Sequence, residues 1–204
     1  MKTKKLFLTL ALALISTFTF AQGVITGSKH DFKAALWNTG GQICITCHTP
    51  HNAIAATGAP LWNHTLTAAS FTLYTNLISS TFNATTTQPG GTSKLCLSCH
   101  DGTVDLDAFT GKVGAVSGKI TGPALLGINL STHHPVSFTY NTALATTDGS
   151  LKDPATTPVV AAMLFANNVE CASCHDAHNN GPVGTKLLRA TNAASALCLT
   201  CHIK

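Results

Sequence analysis

The chain has 204 residues, of which only 10% are charged, and its formal charge is +4, from twelve basic and eight acidic side chains. Three of the basic residues, Lys2, Lys4 and Lys5, stand at the amino terminus, so the rest of the chain is close to neutral. No basic stripe remains that would bind nucleic acid, and we expect no nucleic-acid partner.

The first 21 residues have the pattern of a signal peptide. A basic start precedes an apolar run over 6–15, and Ala21 provides a small residue for cleavage before Gln22. The run is short for a bilayer span, so an uncleaved anchor is the weaker alternative. We therefore predict a secreted protein without a membrane span after cleavage. Its location would be extracellular or at the cell surface, or alternatively periplasmic.

All eight cysteines lie in four C-x-x-C-H segments. The cysteine pairs and the histidines that follow them are Cys44, Cys47 and His48; Cys96, Cys99 and His100; Cys171, Cys174 and His175; Cys198, Cys201 and His202. This spacing is typical of c-type haem attachment, in which two thiols one helical turn apart bond to one porphyrin. A zinc ribbon also pairs cysteines but requires no histidine after each pair. The sequence therefore predicts four covalent haems, with these histidines as proximal iron ligands.

The second axial ligand separates an electron carrier from an enzyme, because an open iron position admits a substrate or a gas. Beyond the signal peptide the only methionine is Met163, which lies in an apolar helical run and is expected in the core. Six further histidines are available: His30, His51, His64, His133, His134 and His178. Two histidine ligands on every iron are therefore the economical solution.

The haem motifs form an internal repeat. Each half has an upstream histidine, a C-x-x-C-H-x-x-H-N segment and an L-C-L-[ST]-C-H segment. Two dihaem modules are predicted, over 22–126 and 127–204, after a signal peptide over 1–21. The repeat makes His30 equivalent to His134, and His51 equivalent to His178.

These four repeated histidines are the predicted distal iron ligands. His51 and His178 each follow a proximal histidine by three residues, which directs them away from their own haem. We therefore predict that each ligates the other haem of its module. His30 and His134 would then ligate the haems of the Cys44 and Cys171 segments.

Two histidines remain outside this scheme. His64 is a possible alternate ligand, although a pair with a haem propionate is the better explanation, as for Arg189 at the corresponding place in the second half. His133 is expected beside solvent or a propionate. Asp101 and Asp176 directly follow proximal histidines, so they either accept a hydrogen bond from an imidazole or lie at the surface.

Four haems leave little chain for each macrocycle, so regular secondary structure should be sparse. We predict a mostly irregular fold with a few short α-helices and minor β-structure, built as two dihaem modules around stacked haems. A helix is predicted over 158–167, with Thr157 as its cap and Pro158 at its first position. Residues 103–129 are predicted as loop, and residues 139–157 as surface. Without cofactors so polar a chain would not offset its conformational entropy.

Further segments resemble the secreted multihaem cytochromes with doubled C-x-x-C-H modules, the cytochrome c3-like family. They are SKHD at 28–31, CHTPHNA at 47–53, PLWN at 60–63, CHDGT at 99–103, HPVSF at 134–138 and LCLTCH at 197–202. Haem number, size and the segment over 60–64 are similar to the tetrahaem cytochromes that form extracellular filaments. His133, where a polar residue is expected, departs from the pattern.

The resemblance implies electron transfer along stacked haems, without substrate chemistry, to redox proteins or extracellular acceptors. It also implies a homopolymer, with His30 as the first candidate and His64 as the second for a ligand supplied to a neighbouring subunit. A soluble periplasmic tetrahaem carrier is the main alternative. A multihaem oxidoreductase with an open haem is a weaker one.

Overall fold

The computed structural model describes residues 25–112, 114, 118–182 and 187–203, so the predicted signal peptide lies outside it. Its helices are α1 (Gly91–His100), α2 (Thr142–Asp148), α3 (Pro158–Met163), α4 (Cys171–Cys174) and α5 (Cys198–Cys201), with 3₁₀ turns at Gly122–Ala124 and Ala193–Ser195. Strands β1 (Phe138–Thr139) and β2 (Asn168–Val169) pair antiparallel. The predicted class, mostly coil with short helices and minor β-structure, is confirmed for these residues. None of their helices is long and apolar enough to cross a membrane.

Two small apolar clusters form the core. The first lies on the β-ribbon and contains Phe138, Tyr140, Ala145, Val160 and Val169. The second contains Phe71, Leu97 and Leu130 and packs on the inner face of α1. Both clusters are small for a chain of this length, so side-chain burial alone provides only part of what orders the fold.

The predicted helix over 158–167 begins as expected and ends early. Pro158 is its first residue, but Leu164 is already extended, and Ala166 and Asn167 have positive φ in the turn that leads to β2. Met163, its last residue, is buried, as predicted for a core methionine.

The prediction that residues 139–157 lie at the surface is wrong at two places. Tyr140 and Ala145 are buried, and Ala145 lies in helix α2, which the sequence analysis did not predict. The side chain of Asn141 caps this helix by accepting a hydrogen bond from the Leu144 N–H at 3.0 Å, and Gly149 ends it with φ of 71°. Both are ordinary helix signals, an Asn cap and a Gly at the carboxyl end.

Contacts cross the predicted boundary between the modules. Leu130 packs with Phe71 and Leu97, and the Thr87 N–H donates to the Ser137 carbonyl at 3.1 Å. The two halves of the sequence repeat therefore share one core, and the boundary near residue 126 stays a prediction.

We expect Tyr140→Phe to lower the free energy of unfolding by about 1–2 kcal/mol, because a buried carbonyl would lose its donor. The Tyr140 hydroxyl donates to the Lys152 carbonyl at 2.6 Å and to the Cys201 carbonyl at 3.3 Å. Denaturant unfolding of the haem-loaded protein measures the change. Tyr74→Phe is the matched control, and an equal loss in both variants would contradict the role of these hydrogen bonds.

Candidate haem sites

The two C-x-x-C-H-x-x-H-N segments have the same backbone hydrogen bonds. In the first half, the Thr49 N–H donates to the Leu61 carbonyl and the Asn63 N–H to the Cys47 carbonyl, both at 2.9 Å. In the second half, the Asp176 N–H donates to the Leu187 carbonyl at 2.7 Å and the Arg189 N–H to the Cys174 carbonyl at 2.9 Å. Asn52 and Asn179 both have positive φ, at 56° and 57°. The repeat predicted from the sequence is therefore present in the folded backbone.

The equivalence extends to the side chains that hold the cysteine turns. The Asn63 amide donates to the Ile45 carbonyl, and the Arg189 guanidinium donates to the Ala172 carbonyl at 3.5 Å. Ile45 and Ala172 both follow the first cysteine of their motif. Arg189 therefore corresponds to Asn63, and the predicted correspondence with His64 is wrong by one residue.

Each motif forms a single helical turn around its cysteines. The His48 N–H donates to the Cys44 carbonyl at 2.8 Å, and the same bond is 3.0 Å from His175 to Cys171 and from His202 to Cys198. The remaining motif, that of Cys96, lies within α1. The two thiols of a motif thus stand one turn apart, as attachment to one porphyrin requires.

Burial raises the pKa of the Cys47 thiol to about 11 and that of Cys99 to about 12. These two thiols are therefore neutral near pH 7 in the folded chain. In the part of the chain that the structure describes, no group of three or more His, Cys, Asp or Glu side chains is placed to hold a bare metal ion. The donor set fits haem, which brings four of the six iron ligands itself.

Three histidine pairs bring a motif histidine opposite a non-motif one. The ring centres of His30 and His100 are 6.1 Å apart, those of His48 and His178 6.2 Å, and those of His134 and His202 6.4 Å. Two imidazoles on opposite sides of one metal ion would have centres about 6 Å apart, since each metal–nitrogen bond is about 2.0 Å and each ring centre lies about 1 Å further. The spacing in all three pairs fits an iron between the rings.

Backbone carbonyls fix the tautomer of three of these rings. The Nδ1–H of His48 donates to the Pro60 carbonyl at 2.8 Å, that of His100 to the Ala124 carbonyl at 2.8 Å, and that of His134 to the Pro135 carbonyl at 2.9 Å. With the proton on Nδ1, the lone pair of Nε2 can bind a metal.

The pairs differ from those predicted from the sequence. His30 lies opposite His100 and not His48, and His134 lies opposite His202 and not His175. His178 lies opposite His48, across the module boundary, and not opposite His202. His178 faces a histidine of another motif, and tertiary packing selects which one.

His51 and His175 are left out of this pairing. Within the described part of the chain neither ring contacts another aromatic ring, and the His51 side chain makes no hydrogen bond. The structure thus brings together three pairs of a motif histidine and a non-motif histidine, none of them a predicted pair, and leaves His51 and His175 without a facing ring among the described residues.

His64, the possible alternate ligand, is a buried structural histidine, with only 1% of its surface exposed. Its Nδ1 lies 2.9 Å from the Thr65 carbonyl and its Nε2 lies 3.1 Å from the Asp105 carbonyl. Burial is the main cause that lowers its pKa. Both ring nitrogens lie next to carbonyls, and Nε2 also lies 3.5 Å from the Cys99 Sγ. These contacts favour a structural role beside the Cys99 motif.

Asp101 and Asp176 accept hydrogen bonds from hydroxyl and backbone N–H groups of the protein. Asp101 is buried and accepts hydrogen bonds from the Thr67 and Thr103 hydroxyls. Asp176 accepts from the N–H groups of His178 and Asn180, both at 2.9 Å. Neither carboxylate accepts a hydrogen bond from the motif histidine that precedes it; for His100 the Ala124 carbonyl takes that place.

Glu170, the only glutamate of the chain, was missed by the sequence analysis. It is 4% exposed and accepts hydrogen bonds from Ser93, Ser137 and Ser173. Glu170 at the cap and Ser173 three residues later form a capping box with the usual order of the two residue types reversed. Its contact with Ser93 has no local sequence signal, because the two residues are 77 positions apart.

A protein-family model described as the doubled CXXCH motif matches residues 164–204. No curated protein matches the chain. The matched residues include the motifs of Cys171 and Cys198, and the match supports a multihaem cytochrome c with covalently bound haem, a type of protein that transfers electrons.

We expect His64→Gln to lower the free energy of unfolding by about 1–3 kcal/mol, because a buried carbonyl would lose its donor. The absorption spectrum should show the same low-spin haems as the unsubstituted protein. His133→Gln is the control, since His133 is only half-buried. A new high-spin component in the His64 variant would contradict the structural role and restore His64 as a ligand.

Proposed function

We propose that the chain is a tetrahaem c-type cytochrome that carries electrons along bis-histidine haems as a subunit of an extracellular filament. The observation that supports this proposal is the set of three histidine pairs. In each pair the ring centres of one motif histidine and one non-motif histidine are 6.1–6.4 Å apart. Ligation from both sides leaves no iron position for a substrate, so we propose no catalysis. Its partners would be redox proteins or extracellular acceptors, and further copies of itself.

The proposed axial pairs are His48 with His178, His100 with His30, and His202 with His134. When bound, the haems supply one-electron redox chemistry, and two histidine ligands give a lower potential than a His/Met pair. The chain's own part is to hold each pair of rings at a fixed spacing. Its carbonyls at Pro60, Ala124 and Pro135 do this by orienting one ring of each pair.

The proposed haem sites are close to one another. The thiols of Cys96 and Cys171 lie near each other, since each shifts the pKa of the other. The His30 ring, opposite His100, also lies beside the main chain of Ala177, between His175 and His178. The motifs of Cys96 and Cys171 thus lie close together, which supports electron exchange between their haems.

The sequence repeat indicates how a fourth pair, of His51 and His175, would relate to the three observed pairs. His30 with His100 corresponds to His134 with His202, so these two pairs are the same pair within each module. His48 with His178 joins the first motif of one module to the histidine of the next module. Its counterpart would join His175 to His51 of a further module, and a second copy of this chain would supply one.

We therefore propose that His51 ligates the haem of Cys171 and Cys174 in a neighbouring subunit. This replaces His30 and His64, the candidates from the sequence. His30 already faces His100, and both ring nitrogens of His64 face carbonyls. Contacts of this head-to-tail kind, which do not close on themselves, produce open filaments. Export to the cell surface would be required, and a periplasmic carrier remains the alternative location and role.

One observation favours a second candidate function. His175 has no ring opposite it among the described residues, so an isolated subunit would have one open iron position. A chain that stays monomeric with this position open would bind small gases or act as a multihaem oxidoreductase. The assembly state and carbon monoxide binding separate these possibilities.

Intact mass and spectrum provide the direct test of the haem sites. The mature protein should carry the mass of four haems, and His178→Ala should convert one of them to high spin. We expect that haem to be the one on Cys44 and Cys47, because His178 faces His48.

A second variant identifies the affected haem. Cys44→Ser with Cys47→Ser, added to His178→Ala, should leave three haems that are all low spin. A high-spin signal that persists in the combined variant would contradict the pair of His48 and His178.

We expect His51→Ala to abolish assembly and to give monomers with one carbon monoxide-binding haem in four. Size-exclusion chromatography and negative-stain images measure assembly, and the reduced spectrum under carbon monoxide measures the open iron. His133→Ala, the control, should still assemble. Unsubstituted monomers that bind no carbon monoxide would favour the soluble carrier, and unsubstituted monomers that bind it would favour the open-haem enzyme.

A further inference from the structure

Glu170 is a buried carboxylate held by four donors. Its oxygens accept from the Ser93 N–H at 3.2 Å, the Ser93 hydroxyl, the Ser137 hydroxyl at 3.1 Å and the Ser173 N–H. Every one of these contacts places a donor next to the carboxylate, an arrangement that suits a negative charge. The fold thus provides a buried site for an anionic side chain.

The same carboxylate caps two helices. Ser93 is the third residue of α1 and Ser173 is the third residue of α4, so the Glu170 carboxylate accepts from an N–H in the first turn of both helices. The Ser93 hydroxyl closes the network by accepting from the Cys171 N–H at 2.9 Å. α1 contains Cys96 and Cys99, and α4 contains Cys171 and Cys174, so one side chain connects two haem-attachment segments.

Gly91 permits this double cap. It begins α1 with φ of 45°, and a Cβ at this position would lie 3.2 Å from the Glu170 Oε1. Glycine adopts this positive φ without the penalty that other residues incur. The sequence thus leaves room for a carboxylate from the second module at the start of a helix in the first.

We propose that Glu170 is a positioning residue that fixes the two helices relative to each other and lowers the reduction potentials of the haems on them. The proposal rests on the proposed function, in that it takes both segments to carry haem. Reduction adds an electron, and a buried negative charge opposes that change more strongly than an exposed one, because the protein interior screens charge poorly. The other two haems are attached outside this network.

Glu170→Gln in the haem-loaded protein is the central test, because the amide keeps one acceptor oxygen and removes the charge. A spectroelectrochemical titration should show that two of the four haems are easier to reduce. Their reduction equilibrium constants should rise on the order of tenfold, which is about 59 mV for a one-electron couple. Asp148→Asn is the control for charge alone. Asp148 accepts hydrogen bonds from Asn83 and Ser150, both at 3.2 Å near the surface, and its variant should shift no haem comparably.

Glu170→Ala separates position from charge. It removes both caps, so we expect lower stability in addition to the shift in potential, whereas Glu170→Gln should retain most of the stability. If Glu170→Gln does not fold, Ser137→Ala is the second measurement. It keeps the charge and removes one donor that offsets it, so the same two haems should become harder to reduce.

Unchanged potentials in a folded Glu170→Gln variant, or in Ser137→Ala if the first does not fold, would overturn the proposal. A shift of all four haems by the same amount would also overturn it. Failure of the proposed function is distinguishable, because it would appear in the unsubstituted protein as fewer than four haems by mass. Four haems with potentials insensitive to Glu170 would refute only the role of Glu170.

Discussion

The cost of burying the Glu170 carboxylate determines how the two halves of this chain meet. An ionised group inside a protein is tolerated only when donors replace its water. Here the donors come from three separated segments, at Ser93, Ser137 and Ser173, and each can reach the carboxylate only if those segments come together. The carboxylate therefore favours one arrangement of α1, α4 and the start of β1 over the many that a small apolar core would permit.

The histidine pairs, like the contacts of Glu170, bring together residues that are far apart in the sequence. His30 and His100, His48 and His178, and His134 and His202 are each separated by more than half a module in sequence. In the proposed holoprotein each pair would be a coordination link that closes a long loop, which lowers the entropy of the unfolded chain as other cross-links do. Such links account for a fold of single-turn helices and a two-residue ribbon, because order would come from ligation more than from regular secondary structure.

Local patterns in the sequence predicted the parts of the site that are themselves local. The cysteine turns, the repeat and the burial of Met163 follow from short-range spacing and hydrophobicity, and the structure contains them. The ring that each distal candidate faces depends on how the modules pack, and the pairs predicted for His30, His134 and His178 differ from the ring contacts in the structure. Helix α2 was missed although Asn141 and Gly149 mark its ends. Local sequence patterns could not predict the cap at Ser93, because Glu170, which accepts from it, lies in the other half of the chain.

The way His178 faces His48 also limits the symmetry of any assembly. A two-fold relation between the modules would bring both equivalent contacts together, His178 to His48 and His51 to His175, yet the structure contains only the first. The contact of His178 with His48 is therefore made without its counterpart between His51 and His175, so this relation between the modules is not two-fold. A second subunit that repeats this relation would place its His51 at the vacant side of His175, and would in turn present its own His175 to a third. Because the relation does not return to its starting point after two modules, its repetition gives an open chain of subunits and not a closed dimer. In such a chain the contact between subunits would have the same form as the contact between the modules within each of them.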